Sequence, residues 1–217
     1  AKLPAMLQRR DEMIALYQVA YALFLPETFH ELVEPALREQ LVDGLGGDVR
    51  ASLASELDDR RGAAAVALLE QRLFLGERLL RDADATSMAA SIEMRLPLVD
   101  QQLLATVDRV PPTLRFSPMR SKALLRRCGL RPLDPSLFDR PKAGFELPYD
   151  AWLRSQLGTR IDATMHDGGL LSRVGLSADA VARLWQAFRA GHRGLYWSRV
   201  WSLFVLARWC DRHGVAL

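Results

Sequence analysis

Up to residue 80 nothing alternates with a strand period for long; apolar positions return every three or four residues instead. In residues 11–24, Ile14, Tyr17, Ala20, Tyr21 and Phe24 share one helical face. Pro26 closes that helix and suits the first turn of the next, which runs through "PETFHELVEPALREQLV". Asp48 to Leu57 and Ala63 to Leu80 read as two more helices, the second rich in alanine and leucine. Toward the end, Ala178, Val181, Leu184, Trp185 and Phe188 form one face before Gly191 and Gly194 interrupt it. Trp197, Val200, Trp201, Phe204, Val205 and Trp209 then form a wide stripe, which at this spacing reads as core rather than ligand cage.

Between these regions the texture changes. Eight prolines from Pro97 to Pro148 leave room for short helices at about 84–92, 99–108 and 120–128, the last stopped by Gly129. "DPSLFDRPKAGFELPYDAWLRSQL" reads as an ordered loop, with a helix starting near Pro148. The expectation is an all-α chain: a helical bundle segment over residues 1–78 and a motif-bearing helical segment over 79–217.

Composition narrows the classes. Of 217 residues, 49% are hydrophobic and 25% charged, which is ordinary for a globular chain with a core. The longest apolar-rich stretch, "LYWSRVWSLFVLARW", is broken by Arg199 and Arg208 and is too short to span a bilayer. The net charge of +3 comes from arginines spread along the chain, not gathered into a nucleic-acid footprint. Cys128 and Cys210 read as two buried free thiols, which favours a reducing, cytoplasmic setting. Lysine occurs only at positions 2, 122 and 142. An internal lysine in an arginine-rich chain hints at a compact charge set against phosphate.

Familiar nucleotide and metal signatures are missing: no GxGxxG, no GK[ST] loop, no HExxH, no CxxC, and four dispersed histidines. "DGLGGD" (43–48) reads as an interhelical turn as readily as a phosphate cradle. Two segments rise above this background. In "TSMAASIEMRLPLVD" (86–100), Glu93 and Arg95 sit among apolar residues that look buried, at the end of a helix expected to run to Ile92. Buried ions must be paired or put to use, so the stretch is either an internal ion pair or the wall of a site. Asp100 suits the N-cap of the following helix. In "RPKAGFELP", Lys142 is held on a proline-braced loop, with Gly144 allowing close approach of another group.

Taken together, "LRDADATSMAASIEMRLPLVD", "VPPTLR", "SKALLRR", "RPKAGFELPYDAWLR" and "WSRVWSLFVLARW" resemble the C-terminal portion of the asparagine synthetase family, over about residues 75–213. The resemblance implies the helical C-terminal portion of an adenine-nucleotide α-hydrolase-like (ATP pyrophosphatase) synthetase domain. It also implies a ligase that adenylates aspartate with ATP and aminates it with ammonia from glutamine, in the cytoplasm. Glu93 falls on the family's glutamate for forming and aminating the acyl-adenylate. Lys142 falls on the lysine that faces the phosphates and the departing pyrophosphate. Ser91 and Ile92 fall where the family's backbone meets the nucleotide, while Arg95 and Asp100 fall on positions that hold the turn.

The family's SGGxDS loop, parallel sheet and GGDE metal motif have no counterpart here, and Val49 follows Gly46-Gly47-Asp48 where that motif has glutamate. No nucleophilic cysteine opens the chain. The expectation is a portion of a longer ligase, inactive by itself. Its expected partners are the glutaminase and sheet portions of the same polypeptide, and the Mg2+ ligands are expected outside it. Exposure of an apolar face that the sheet would cover makes a homo-oligomer conceivable. Two other readings stay open: a non-catalytic helical interaction module, and a related amide- or lactam-forming enzyme with another acceptor.

Overall fold

The computed structural model describes residues 2–40, 44–117, 122–139, 144 and 147–216. In chain order the α-helices begin with α1 (Leu3–Gln8), α2 (Met13–Tyr21), α3 (Pro26–Leu32), α4 (Gly47–Leu57) and α5 (Gly62–Leu69). There follow α6 (Arg81–Met88), α7 (Gln101–Asp108), α8 (Pro112–Arg115), α9 (Ala123–Cys128) and α10 (Tyr149–Arg154). The last four are α11 (Gly158–Met165), α12 (Gly168–Arg173), α13 (Ala178–Arg189) and α14 (Trp197–His213). Among the described residues there is no β-strand, as expected for the helical part of such a domain; one isolated antiparallel bridge joins Val33 and Leu176.

The chain divides into two compact units. One comprises Ala1–Gln8, Gln18–Gly46 and Gly144–Leu217. Its core is set by helical spacing: Val181, Trp185 and Phe188 on α13, Ile161 and Met165 on α11, and Val200, Ala207 and Cys210 on α14 are all buried. Burying each large side chain contributes about 1.5–3 kcal/mol, so this apolar cluster is the main support of the unit. Hydrogen bonds from Glu34 N–H to the Gly175 carbonyl (3.0 Å) and from Ser177 N–H to the Leu32 carbonyl (2.9 Å) pin the end of α3 to the α12–α13 turn. Arg154 closes the end of α13, donating to the carbonyls of Phe188 and Arg189 with its guanidinium 4.1 Å from the Phe188 ring centroid.

The other unit comprises Arg9–Tyr17 and Gly47–Ala143. Its buried set is thinner: Leu53 and Leu57 of α4, Ala64, Ala65, Leu68 and Leu69 of α5, with Ile14 and Tyr17. The expected helix over 63–80 and the next one at 84–92 are a single helix here. It runs from Gly62 to Met88 without a break, as α5, a π-helical stretch over Glu70–Leu80, and α6. In the π stretch each N–H reaches back five residues instead of four, a widened turn seen often near functional segments. Gly76 lies inside it, and a Cβ there would come 3.2 Å from the Gln71 carbonyl.

Two expectations are corrected. Cys210 is buried but Cys128 is exposed, because α9 is a short helix without a buried face. The helix leading to Glu93 ends at Met88, four residues before Ile92.

Candidate functional site

The end of α6 explains that early stop. Ser91 takes a left-handed backbone, φ 56°. Its N–H donates to the Met88 carbonyl and the Ile92 N–H to the Ser87 carbonyl, both at 2.9 Å. That pair of bonds is the Schellman closure, which satisfies the last helical carbonyls and usually places glycine where Ser91 stands. Both N–H groups are thereby used. The carbonyls of Ser91 and Ile92 accept no hydrogen bond among the described residues, so the acceptors at this turn are open to a ligand.

Beyond the turn the chain runs non-helical through residues 92–96. Arg95 Nε donates to the Glu93 carboxylate at 3.0 Å, with the side chains 82% and 71% exposed respectively. The stretch expected to be buried is therefore open along this chain, since no element of its own unit packs over it. Hydrated ions carry no desolvation cost, and an exposed pair of this kind contributes about 0–1 kcal/mol. In the structure the pair turns the Glu93 carboxylate toward Arg95. Pro97 then opens a short 3-10 turn over Pro97–Val99. Asp100 caps α7 as expected, its carboxylate accepting from the N–H groups of Gln102 and Leu103 at 2.9 Å each.

A cluster that the sequence reading passed over lies in the same unit. Arg60, from the α4–α5 loop, and Arg115, from α8, both hold Asp108 at the end of α7. Arg115 is the arginine of "VPPTLR", and its side chain is only 9% exposed. The carboxylate of Asp108 is held well below the usual range. The Arg60 hydrogen bond is the chief cause, burial opposes it, and the Arg115 bond adds to it. Nothing in the spacing of residues 60, 108 and 115 announces the cluster; the proline-forced sharpness of the 108–112 corner was the available signal.

Further along, Lys122 precedes α9 with a left-handed backbone, and α9 stops at Gly129, whose N–H donates to the Leu125 carbonyl at 2.8 Å. Arg126 pairs with Asp139 at 2.9 Å and lies 5.4 Å over the Phe138 ring, which anchors the chain just before residue 140. Lys142 lies outside the described residues, so Glu93, Ser91 and Ile92 are brought together by the turn and Lys142 is not among the residues located. No three His, Cys, Asp or Glu side chains cluster as metal ligands among the described residues. No helix is long and apolar enough to cross a membrane among them.

The chain is similar to known proteins. A family model described as asparagine synthase matches residues 3–211. A protein of Mycobacterium bovis provisionally named a glutamine-hydrolysing asparagine synthetase is 29% identical over 165 residues, 75% of this chain and 24% of its own length. A Mycobacterium tuberculosis protein of the same name matches equally. Glutamine-hydrolysing asparagine synthetase 1 of Bacillus subtilis is 30% identical over 82 residues, 38% of this chain and 13% of its own. No solved structure matches. The matched stretch is thus about a quarter, or less, of these curated relatives. With the family model spanning nearly every residue from Leu3 to Asp211, the chain belongs to the asparagine synthase family.

Proposed function

We propose that this chain is the helical C-terminal portion of a glutamine-hydrolysing asparagine-synthetase-type ligase and that Glu93, Ser91, Ile92 and Lys142 serve its nucleotide and acyl site. The observation that carries the reading is the turn after α6. It presents the Glu93 carboxylate on an open, non-helical segment, directly after two carbonyls with no internal partner. The names of the matched relatives support the same reaction class.

On this reading an aspartate carboxylate oxygen attacks the α-phosphorus of ATP and pyrophosphate leaves. Ammonia then attacks the acyl carbon and AMP leaves. Lys142 offsets the charge that builds on the departing pyrophosphate, an electrostatic role of the kind worth about 10²–10³ in rate. Glu93 accepts a proton from the attacking ammonia, worth about 10²–10⁴. The carbonyls of Ser91 and Ile92 can accept hydrogen bonds from a purine amino group or a ribose hydroxyl. Arg95 positions Glu93. Mg2+ would offset phosphate charge, with ligands that this reading assigns to another part of the polypeptide. A cytoplasmic setting, the glutaminase and the sheet portion are part of the same proposal.

The test uses the polypeptide that contains the whole synthetase domain. Lys142→Met should slow aspartate-dependent ATP–pyrophosphate exchange by about 10²-fold or more. Glu93→Gln should depress amide formation by about 10²-fold or more. Full exchange and amide formation in both variants would refute the assignment. Formation of an amide from a different carboxylic acid, with none from aspartate, would retain the site and replace the acceptor.

A further inference from the structure

After Gly62, Gly76 is the only glycine in the continuous helix that ends at Met88. Apart from proline, glycine is the poorest helix former, yet this one stands in the middle of the π stretch over Glu70–Leu80. The π register sets each N–H on the carbonyl five residues back, so position 76 faces the Gln71 carbonyl. A Cβ there would lie 3.2 Å from that oxygen, inside the roughly 3.5–4.0 Å of an ordinary non-bonded contact. The missing side chain leaves room for the wide turn.

The surroundings do not impose that register. No residue of the stretch is buried, whereas α5 before it buries Ala64, Ala65, Leu68 and Leu69. The Arg72–Glu56 ion pair, at 3.2 Å, ties the stretch to α4 without setting its winding. Arg78 over the Phe74 ring and Arg81 against Glu77 are contacts four residues apart, a spacing that the α register serves equally. An α turn holds 3.6 residues and a π turn holds more. A change of register through these 11 residues therefore winds α6 about the helix axis relative to α5.

We propose that Gly76 is a positioning residue for the ligase reaction. By keeping Glu70–Leu80 in the π register it sets the rotation of α6, and with it the direction in which the turn after α6 presents Glu93. The effect on the reaction rests on the ligase reading; the register does not. Alanine at position 76 crowds the Gln71 carbonyl in the π register and favours the α register, for which it is the best former. Helical hydrogen bonding is cooperative, so the stretch changes register as a block. Gly76→Ala should therefore be more stable than the parent and less active. A residue needed only for the integrity of the helix would lose both together.

Scalar couplings across hydrogen bonds in the isotope-labelled 217-residue chain read the register directly. The residue-76 nitrogen should couple to the carbonyl carbon of residue 71 in the parent and of residue 72 in Gly76→Ala. Spin labels at positions 52 and 82, both exposed, in a Cys128→Ser background should report different separations in the two proteins. The urea midpoint of Gly76→Ala should rise. In the polypeptide that contains the whole synthetase domain, its amide formation should fall by about 10²-fold, the scale of misplacing a reacting group by about 1 Å. Glu77→Ala adds no Cβ to the helix and should keep both the register and the rate. A coupling to residue 71 retained in Gly76→Ala overturns the proposal, as does a coupling to residue 72 in the parent. A changed register with full amide formation also overturns it, as does an equal loss of activity in Glu77→Ala. If Glu93→Gln leaves amide formation intact, the ligase reading of Glu93 fails and the positioning role falls with it, while the couplings still decide what Gly76 does to the helix.

Discussion

Arg60 and Asp108 meet in a fork, with Nη1 and Nη2 of the guanidinium 2.9 and 2.5 Å from the two carboxylate oxygens. The bond ties the α4–α5 loop to the end of α7, and Arg115 adds a third hydrogen bond at 2.5 Å. One carboxylate thus serves two cations, and removing it leaves both without their main partner.

Asp108→Asn should destabilise the chain by about 1–3 kcal/mol, less than for a fully buried pair because the Asp108 side chain is 35% exposed. The folded-state pKa is depressed. The carboxylate's contribution is therefore complete above the unfolded pKa of about 4 and is lost as pH falls below it. Urea unfolding of wild type and variant at pH 7 and pH 3 checks both points, and the gap between them should narrow at the lower pH.

Ser91→Gly should stabilise the chain by up to about 1 kcal/mol, since glycine takes a left-handed backbone without the clash of a Cβ. Ser91→Val should destabilise it, the branched side chain being worse there than serine. Shifts of the denaturation midpoint in opposite directions are the expected readout.

Trp185 donates its indole N–H to Asp162 at 2.7 Å. This bond is the chief reason the Asp162 carboxyl sits below its ordinary value; burial opposes it, and His166 and Arg189 add to it. Trp185→Phe should let the carboxyl titrate at higher pH, visible as a moved midpoint in the Asp162 side-chain carbon signal. Asp162→Ala should cost about 1–2 kcal/mol, because the indole N–H of a buried tryptophan loses its acceptor. As for Asp108, that contribution is present above the ordinary carboxylate pKa and fades as pH falls below it.

The isolated 217-residue chain should show no tight ATP binding in calorimetry, with or without Mg2+, because phosphate contacts are expected from the portion that carries the glycine-rich loop. Tight one-to-one binding would count against the proposed division of the site.

Where a local rule decides the structure, the sequence announced it. Asp100 caps α7, Pro26 opens α3, Gly191 and Gly194 break the chain with positive φ, and Val181, Trp185 and Phe188 face the core. Where packing decides, it did not. Residues 92–96 look buried from composition but are exposed, because an apolar residue says nothing about which segment will cover it. Trp209 belongs to the same helical stripe as Val200 and is 53% exposed, for the same reason. The stop at Met88 turns on a serine doing glycine's work, which no propensity suggests. Helices α11 and α12 went unread although Asp167 and Ser177 are ordinary caps for α12 and α13. Of the candidate site, the Glu93 turn was legible as a helix end, whereas the Asp108 cluster depends on three residues far apart in sequence.

Residues 62–88 form one rod, on the order of 40 Å long at helical rise. Its buried apolar side chains, Ala64, Ala65, Leu68 and Leu69, all lie in its first third, and Ser87 is the buried polar residue near the tip. The heading at which that base is clamped therefore aims the far tip, and the tip carries the bend that ends at Glu93. A methyl group gained or lost beneath Leu69 is thus geometrically amplified along the rod, so packing at the foot calibrates the posture of a carboxylate it never touches.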